Sequence, residues 1–167
     1  MICCVTGHRS GGFPFPPEDR ERYLQYKKRL YETVRDLLDM GYRHFITGMA
    51  EGVDTDFAIA VLFYKKQYAN VWLEAALPYP RQRDFSGQML KDKILASCDC
   101  ITVVSETYFD GCMQKRNCYM VDRSDLVLAV WNGQRKGGTW NTVSYARRKG
   151  KPIRYIMLEE LDQMRLF

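Results

Sequence analysis

Three short stretches hold most of the residues able to do chemistry: Thr6-Gly7-His8-Arg9, Gly48-Met49-Ala50-Glu51-Gly52-Val53-Asp54, and Asn132-Gly133 followed by Gly137-Gly138-Thr139. A glycine pair ahead of a helix lets the main chain approach a ligand closely, and the free N–H groups and positive dipole end of the helix favour an anion. Phosphate is the economical ligand for such a corner. The competing reading of each loop alone is a turn that needs positive φ. Neither a Walker pattern nor Gly-x-Gly-x-x-Gly occurs, which disfavours an ATPase or a standard dinucleotide site.

The side chains in these stretches have named alternatives. His8 and Arg9 at a strand exit can both reach a phosphate or a base; a capping or surface role competes for His8. Asp54 reads either as a helix N-cap or as a partner of ribose hydroxyls. Glu51 is the only carboxylate among the motif glycines and so the one candidate for chemistry there; otherwise it is a first-turn charge favoured by the helix dipole. Arg116 is either a phosphate clamp or a helix-face cation. Tyr79, after Pro78, can stack on a base or cover the sheet edge. His44 is expected to be structural, and Tyr23, Tyr26 and Trp140 to pack rather than bind.

Elements able to position these residues follow from periodicity. Short apolar runs are expected as strands at Ile2 to Thr6, His44 to Thr47, Asn70 to Leu77, Cys100 to Ser105, Leu126 to Trp131 and Pro152 to Met157. Helices are expected from Glu18 to a stop at Gly41, through Phe57, Val61 and Tyr64, over Asp84 to Ala96, over Met113 to Val121, and over Thr139 to Lys149. Strands apolar on both faces and separated by helices imply an α/β, Rossmann-like, doubly wound fold. Its mostly parallel sheet of about six strands carries helices on both faces. Ligands of such sheets sit at the strand carboxyl ends, where the three loops lie.

Composition narrows the function classes. The 167 residues are 46% hydrophobic and 27% charged, ordinary for one globular domain spanning 1–167. The formal charge of +5 is scattered over solvated helix faces, with no interleaved aromatic platform for single strands, so nucleic acid is not the expected partner. "MICCVTGHR" lacks the parts of a signal peptide, and nowhere do 18 apolar residues run together. A cytoplasmic protein without a membrane partner is expected. Cys3, Cys4, Cys98, Cys100, Cys112 and Cys118 form no Cys-x-x-Cys pair or common zinc spacing, and buried reduced thiols are expected, with no metal and no cofactor.

At this point the motifs bear a resemblance. "ITGMAEGVDTDFA" (Ile46 to Ala58) is similar to the Ser-Gly-x-Ala-x-Gly-Ile-Asp signature of the DNA-processing protein A family. "GGTWNTVSYA" (Gly137 to Ala146) resembles the Gly-x-Gly-Thr-x-x-Glu loop of the lonely-guy phosphoribohydrolases. Both belong to the SLOG superfamily of Rossmann-like nucleotide binders, and "TGHR" with "LAVWNG" resembles its YpsA-like branch, over nearly the whole chain. The resemblance implies a nucleotide-derived phosphate ligand, ADP-ribose-like ligands included.

The departures carry weight too. "MQKRN" (Met113 to Asn117) keeps an Arg116 similar to the phosphoribohydrolase arginine, but Thr142 stands where that loop has its catalytic Glu. A hydroxyl cannot replace a carboxylate as general acid/base or stabilise an oxocarbenium ion as a carboxylate does. The leading expectation is therefore a sensor or carrier of a small nucleotide-like ligand, held by the loops above together with Tyr79, Arg116 and Thr142. The alternative is a hydrolase of N-glycosidic or phosphate bonds using Glu51 and Arg116, and the third reading is single-stranded DNA binding. A homo-oligomer stays open.

Overall fold

The computed structural model describes residues 1–82 and 88–161. In chain order the elements are β1 (Ile2–Gly7), α1 (Arg20–Asp39), β2 (His44–Thr47), α2 (Val53–Lys65), β3 (Trp72–Leu77), α3 (Gln88–Ser97), β4 (Cys100–Val103), α4 (Cys112–Arg123), β5 (Leu126–Trp131), α5 (Gly137–Arg148) and β6 (Ile153–Met157). A short 3₁₀ turn, Ser10–Gly12, follows β1. All six strands form one parallel sheet in the order β4-β3-β2-β1-β5-β6. The doubly wound α/β expectation is borne out.

Alternation along the strands splits the interior into two layers. Cys3, Val5, Phe45, Leu73 and Leu128 join the apolar stripes of α1, α2 and α3 in the larger core, including Tyr26, Leu30, Leu37 and Phe57. Cys4, Ile46, Ala76 and Val127 face α4 and α5 through Met120, Val121 and Ala146. β5 is buried at all six positions, as expected of a central parallel strand. β4 lies at the sheet edge and alternates, leaving Ile101 and Val103 partly exposed instead of buried on both faces.

Several boundaries differ from the sequence reading for local reasons. α1 starts at Arg20 because the Asp19 carboxylate accepts the Arg22 N–H at 3.1 Å, a side-chain N-cap. β3 starts at Trp72 because Asn70 is left-handed, with φ 59°. α5 begins two residues earlier than expected, at Gly137. Of the helix expected over Asp84 to Ala96, the structure has Gln88–Ser97, and positions 84–87 lie outside the described residues.

Strand order reverses beside β1, which pairs with β2 on one side and β5 on the other. The exits of β1 and β5 are therefore neighbours, and α2, α4 and α5 begin at the same edge. This is the topological switch point of a doubly wound sheet.

Candidate functional site

A cleft of about 300 Å³ opens at that switch point. It brings together Thr6, Gly7, His8 and Arg9 after β1, Ala50 and Asp54 around the start of α2, Arg116 on α4, and Gly138 and Thr139 at the start of α5. Val5, Met113 and Asn117 complete the lining and were not anticipated. Met113 and Asn117 flank Arg116 on one helical face, three residues before and one after, so the quoted "MQKRN" held the signal.

Close packing of the two flanking loops explains two of the glycines. A Cβ on Gly7 would lie 2.5 Å from Val53 Cβ, and one on Gly52 would lie 2.6 Å from the His8 carbonyl oxygen. Gly52 also has φ 97°. Val53 then donates its N–H to that His8 carbonyl at 3.2 Å. Met49, at φ 56°, is fully buried and anchors the β2 exit to the core instead of lining the cleft.

Beneath the cleft Arg116 is 4% exposed. Its Nη1 donates to the Gly48 carbonyl and, at 3.3 Å, to the Ala76 carbonyl, while Nε donates to Asn117 Oδ1 at 2.8 Å. A solvated helix-face cation is thereby corrected: the guanidinium is a strut joining α4 to the exits of β2 and β3. The Asp54 carboxylate accepts the Ala50 N–H at 3.2 Å. Gly48 lies under both groups, since a Cβ there would be 2.6 Å from Arg116 Cζ and 2.7 Å from Asp54 Oδ2. Asp54 is not the N-cap; Gly52 holds that place without a side chain, and Asp54 folds back onto the loop from the first turn.

Above the cleft α5 starts at Gly137 behind an N-cap, Lys136, that makes no side-chain cap hydrogen bond, so its first N–H groups lack a side-chain acceptor. Gly138 has open space where a Cβ would stand and no positive φ. Neither packing nor backbone conformation demands a glycine there. Thr6 and Thr139, 7% and 6% exposed, line the cleft, and their hydroxyls have no hydrogen-bond partner among the described residues.

His8 and Asn132 join the β1 and β5 exits: His8 Nε2 accepts the Asn132 N–H at 3.2 Å, and Asn132 Nδ2 donates to the Gly12 carbonyl at 3.0 Å. Burial pushes His8 below its ordinary value, opposed by the Asn132 side chain. An acceptor lone pair on Nε2 requires the neutral ring, with its proton on Nδ1. On the far side of His8 a second depression, of about 490 Å³, includes Asn132, Gln134, Lys136 and Gly137.

Other expected residues lie elsewhere. Glu51 is half-buried and accepts the Ser10 N–H at 3.3 Å, tying the second loop to the 3₁₀ turn; it precedes the α2 cap and is not a first-turn charge. The Thr142 hydroxyl donates to the Gly138 carbonyl at 2.9 Å and the side chain is buried. Tyr79 packs edge-on to Tyr108, with ring centroids 5.5 Å apart. Gly133 is exposed with φ 80°, beside the Glu159 carboxylate. His44 donates to the buried Glu74.

The fold also assembles an aromatic and cationic group that the sequence did not reveal. Trp140 stacks on Trp131 at 5.6 Å and 14°, and Arg135 and Arg147 lie 5.7 and 5.6 Å from its centroid. All six cysteines are free thiols, and burial pushes Cys4 up to about 12. Among the described residues no group of three or more His, Cys, Asp and Glu side chains is placed to hold a metal, and no helix is long and apolar enough to cross a membrane.

Sequence comparison fits this geometry. A family model described as the YspA SLOG family matches residues 3–161. The chain belongs to the YspA SLOG family. It is also similar to an uncharacterized SPbeta prophage-derived protein, YoqJ, of Bacillus subtilis strain 168, at 29% identity over 141 residues, which is 75% of this chain and 82% of the relative. The branch inferred from "TGHR" and "LAVWNG" is borne out, and SLOG membership implies a nucleotide-related function.

Proposed function

We propose that residues 1–167 form one domain that binds a small nucleotide-derived phosphate ligand at the β1/β5 switch point and acts as a sensor or carrier. The observation carrying this reading is Gly138: at an uncapped helix start, it is a glycine that neither φ nor packing requires. Close approach of an external anion supplies the missing reason. The unpartnered hydroxyls of Thr6 and Thr139 offer donors beside it, and the Arg116 guanidinium below, which donates to two carbonyls, and Arg9 after β1 add positive charge to the lining.

Binding is favoured over turnover by the disposition of the carboxylates. Glu51 is engaged with Ser10 and does not line the cleft, Thr142 offers no carboxylate, and Asp54 accepts a main-chain N–H beside a guanidinium. Native mass spectrometry of freshly purified protein is expected to show a co-purifying nucleotide. In thermal melts, nucleoside 5′-monophosphates are expected to stabilise the protein and the matching nucleosides not. Equal shifts from both would reject the phosphate site. Release of free base from the monophosphates, followed by chromatography, would reject the sensor or carrier role.

A further inference from the structure

Resting on that phosphate site, we propose that the recess formed by Phe13, Phe15, Pro16, Pro17 and Tyr23 holds the planar base of the same ligand. The recess has a volume of about 220 Å³ and, apart from Ser10, an aromatic and proline lining. Its rings are fixed from behind. Phe13 meets Phe15 edge-on at 5.4 Å and Tyr26 at 5.1 Å, Phe15 and Tyr26 are buried, and the Tyr23 hydroxyl donates to Asp56 at 3.1 Å. Tyr23 is nonetheless 38% exposed, so it presents ring surface to the recess instead of only packing, as its helical spacing had suggested. A rigid aromatic wall takes up a flat ring at little cost in conformational freedom.

Continuity with the anion end selects a base over other apolar groups. The depression beside His8 shares Phe13 with the recess and His8 with the cleft, and its lining also includes Gly137 of the α5 start. Gly11 also lines this depression; a Cβ there would meet nothing and φ is not positive, the same signature as Gly138. Bare main chain along this path lets a sugar lie over the 3₁₀ turn between phosphate and base. Arg22 lies 5.8 Å from the Phe15 ring centroid and Lys27 5.3 Å from that of Tyr23, and both are paired with carboxylates, Arg22 with Asp19 at 2.8 Å and Lys27 with Asp56. The recess therefore suits a neutral ring and not a second phosphate.

The test compares the four ribonucleoside 5′-monophosphates with ribose 5-phosphate by isothermal titration calorimetry. A stacked base is worth roughly 5- to 150-fold in affinity. At least one monophosphate is expected to bind wild-type protein 10-fold or more tighter than ribose 5-phosphate. Tyr23→Ala and the plugging variant Ser10→Trp should bring that ratio towards 1 while ribose 5-phosphate affinity is kept; Leu24→Ala, on the exposed face of α1, should leave both unchanged. A ratio surviving in both Tyr23→Ala and Ser10→Trp, or lost in Met113→Ala instead, overturns the proposal by placing the base in the cleft. Equal affinity for ribose 5-phosphate and all four monophosphates overturns it and leaves the phosphate site standing. Absence of ribose 5-phosphate and monophosphate binding alike overturns the phosphate site itself.

Discussion

His8 Nε2 and the main-chain N–H of Asn132, 3.2 Å apart across 124 residues of sequence, tie together the two loops at which the sheet reverses its strand order. The contact holds only while the imidazole is neutral. Burial lowers the His8 pKa, so the unfolded chain takes up the proton first as pH falls. This contribution to stability is complete above the ordinary histidine value of 6.5 and is lost as pH drops below it towards the lower folded value. A glutamine at this position can accept the same N–H without titrating. Urea midpoints of wild type and His8→Gln are expected to diverge in favour of the variant between pH 7 and pH 5.5. A constant difference across that window rejects the assignment.

Gly138→Asp separates the fold from the site. A Cβ there meets nothing within 4 Å, so the variant should melt within a few degrees of wild type. The added carboxylate should nevertheless repel an anion at the α5 start. For wild type, a nucleoside monophosphate at about 100 times its Kd should add roughly 2.7 kcal/mol. For Gly138→Asp the expected gain is near zero, read as the ligand-induced shift in Tm. An undiminished shift would move the anion away from this helix.

Arg116 is expected to matter for folding before it matters for ligand. Arg116→Met removes donors from the Gly48 and Ala76 carbonyls and leaves Asp54 with one fewer neighbouring charge. Loss of buried charged partners costs on the order of 3 kcal/mol or more. Gly48→Ala should also destabilise, because its Cβ would press on the guanidinium and on Asp54. Chemical denaturation tests both; an Arg116→Met protein of wild-type stability but weakened ligand binding would restore the clamp reading.

Much of the fold was legible because period and punctuation agreed: "HFIT" and "LVLAVW" are strands at the boundaries their apolar runs mark. The loops were legible as well, since glycine before a helix has few structural uses. Side-chain direction was not. Glu51 in the loop and Asp54 in the first turn of α2 are three residues apart, yet one faces the Ser10 turn and the other the cleft, with the positive-φ Gly52 between them. Burial of Arg116 likewise depends on α4 bringing it to the Gly48 and Ala76 carbonyls at the exits of β2 and β3, a tertiary relation with no local signature.

Glu74 gives the sharpest pH test away from the site. Its carboxylate, 2% exposed, accepts hydrogen bonds from His44 Nε2 and Tyr119 OH at 2.7 Å each and from Thr102 Oγ1 at 2.9 Å. Burial acts to raise its pKa, but the three donors outweigh it and bring the value down from 4.5 to about 2. A carboxylate depressed in the folded state stabilises above its unfolded value and loses that contribution as pH falls through its folded one. At about 1.4 kcal/mol per unit this is on the order of 3 kcal/mol at neutral pH. Glu74→Gln keeps the shape and removes the charge, so it should be markedly less stable than wild type at pH 7. The gap should narrow as pH drops from about 4.5 towards 2, where the wild-type group itself takes up a proton. Urea midpoints at pH 7, 4.5 and 3 follow the narrowing. A gap that stays constant over this range would mean that packing of the amide, and not the charge on Glu74, sets the difference.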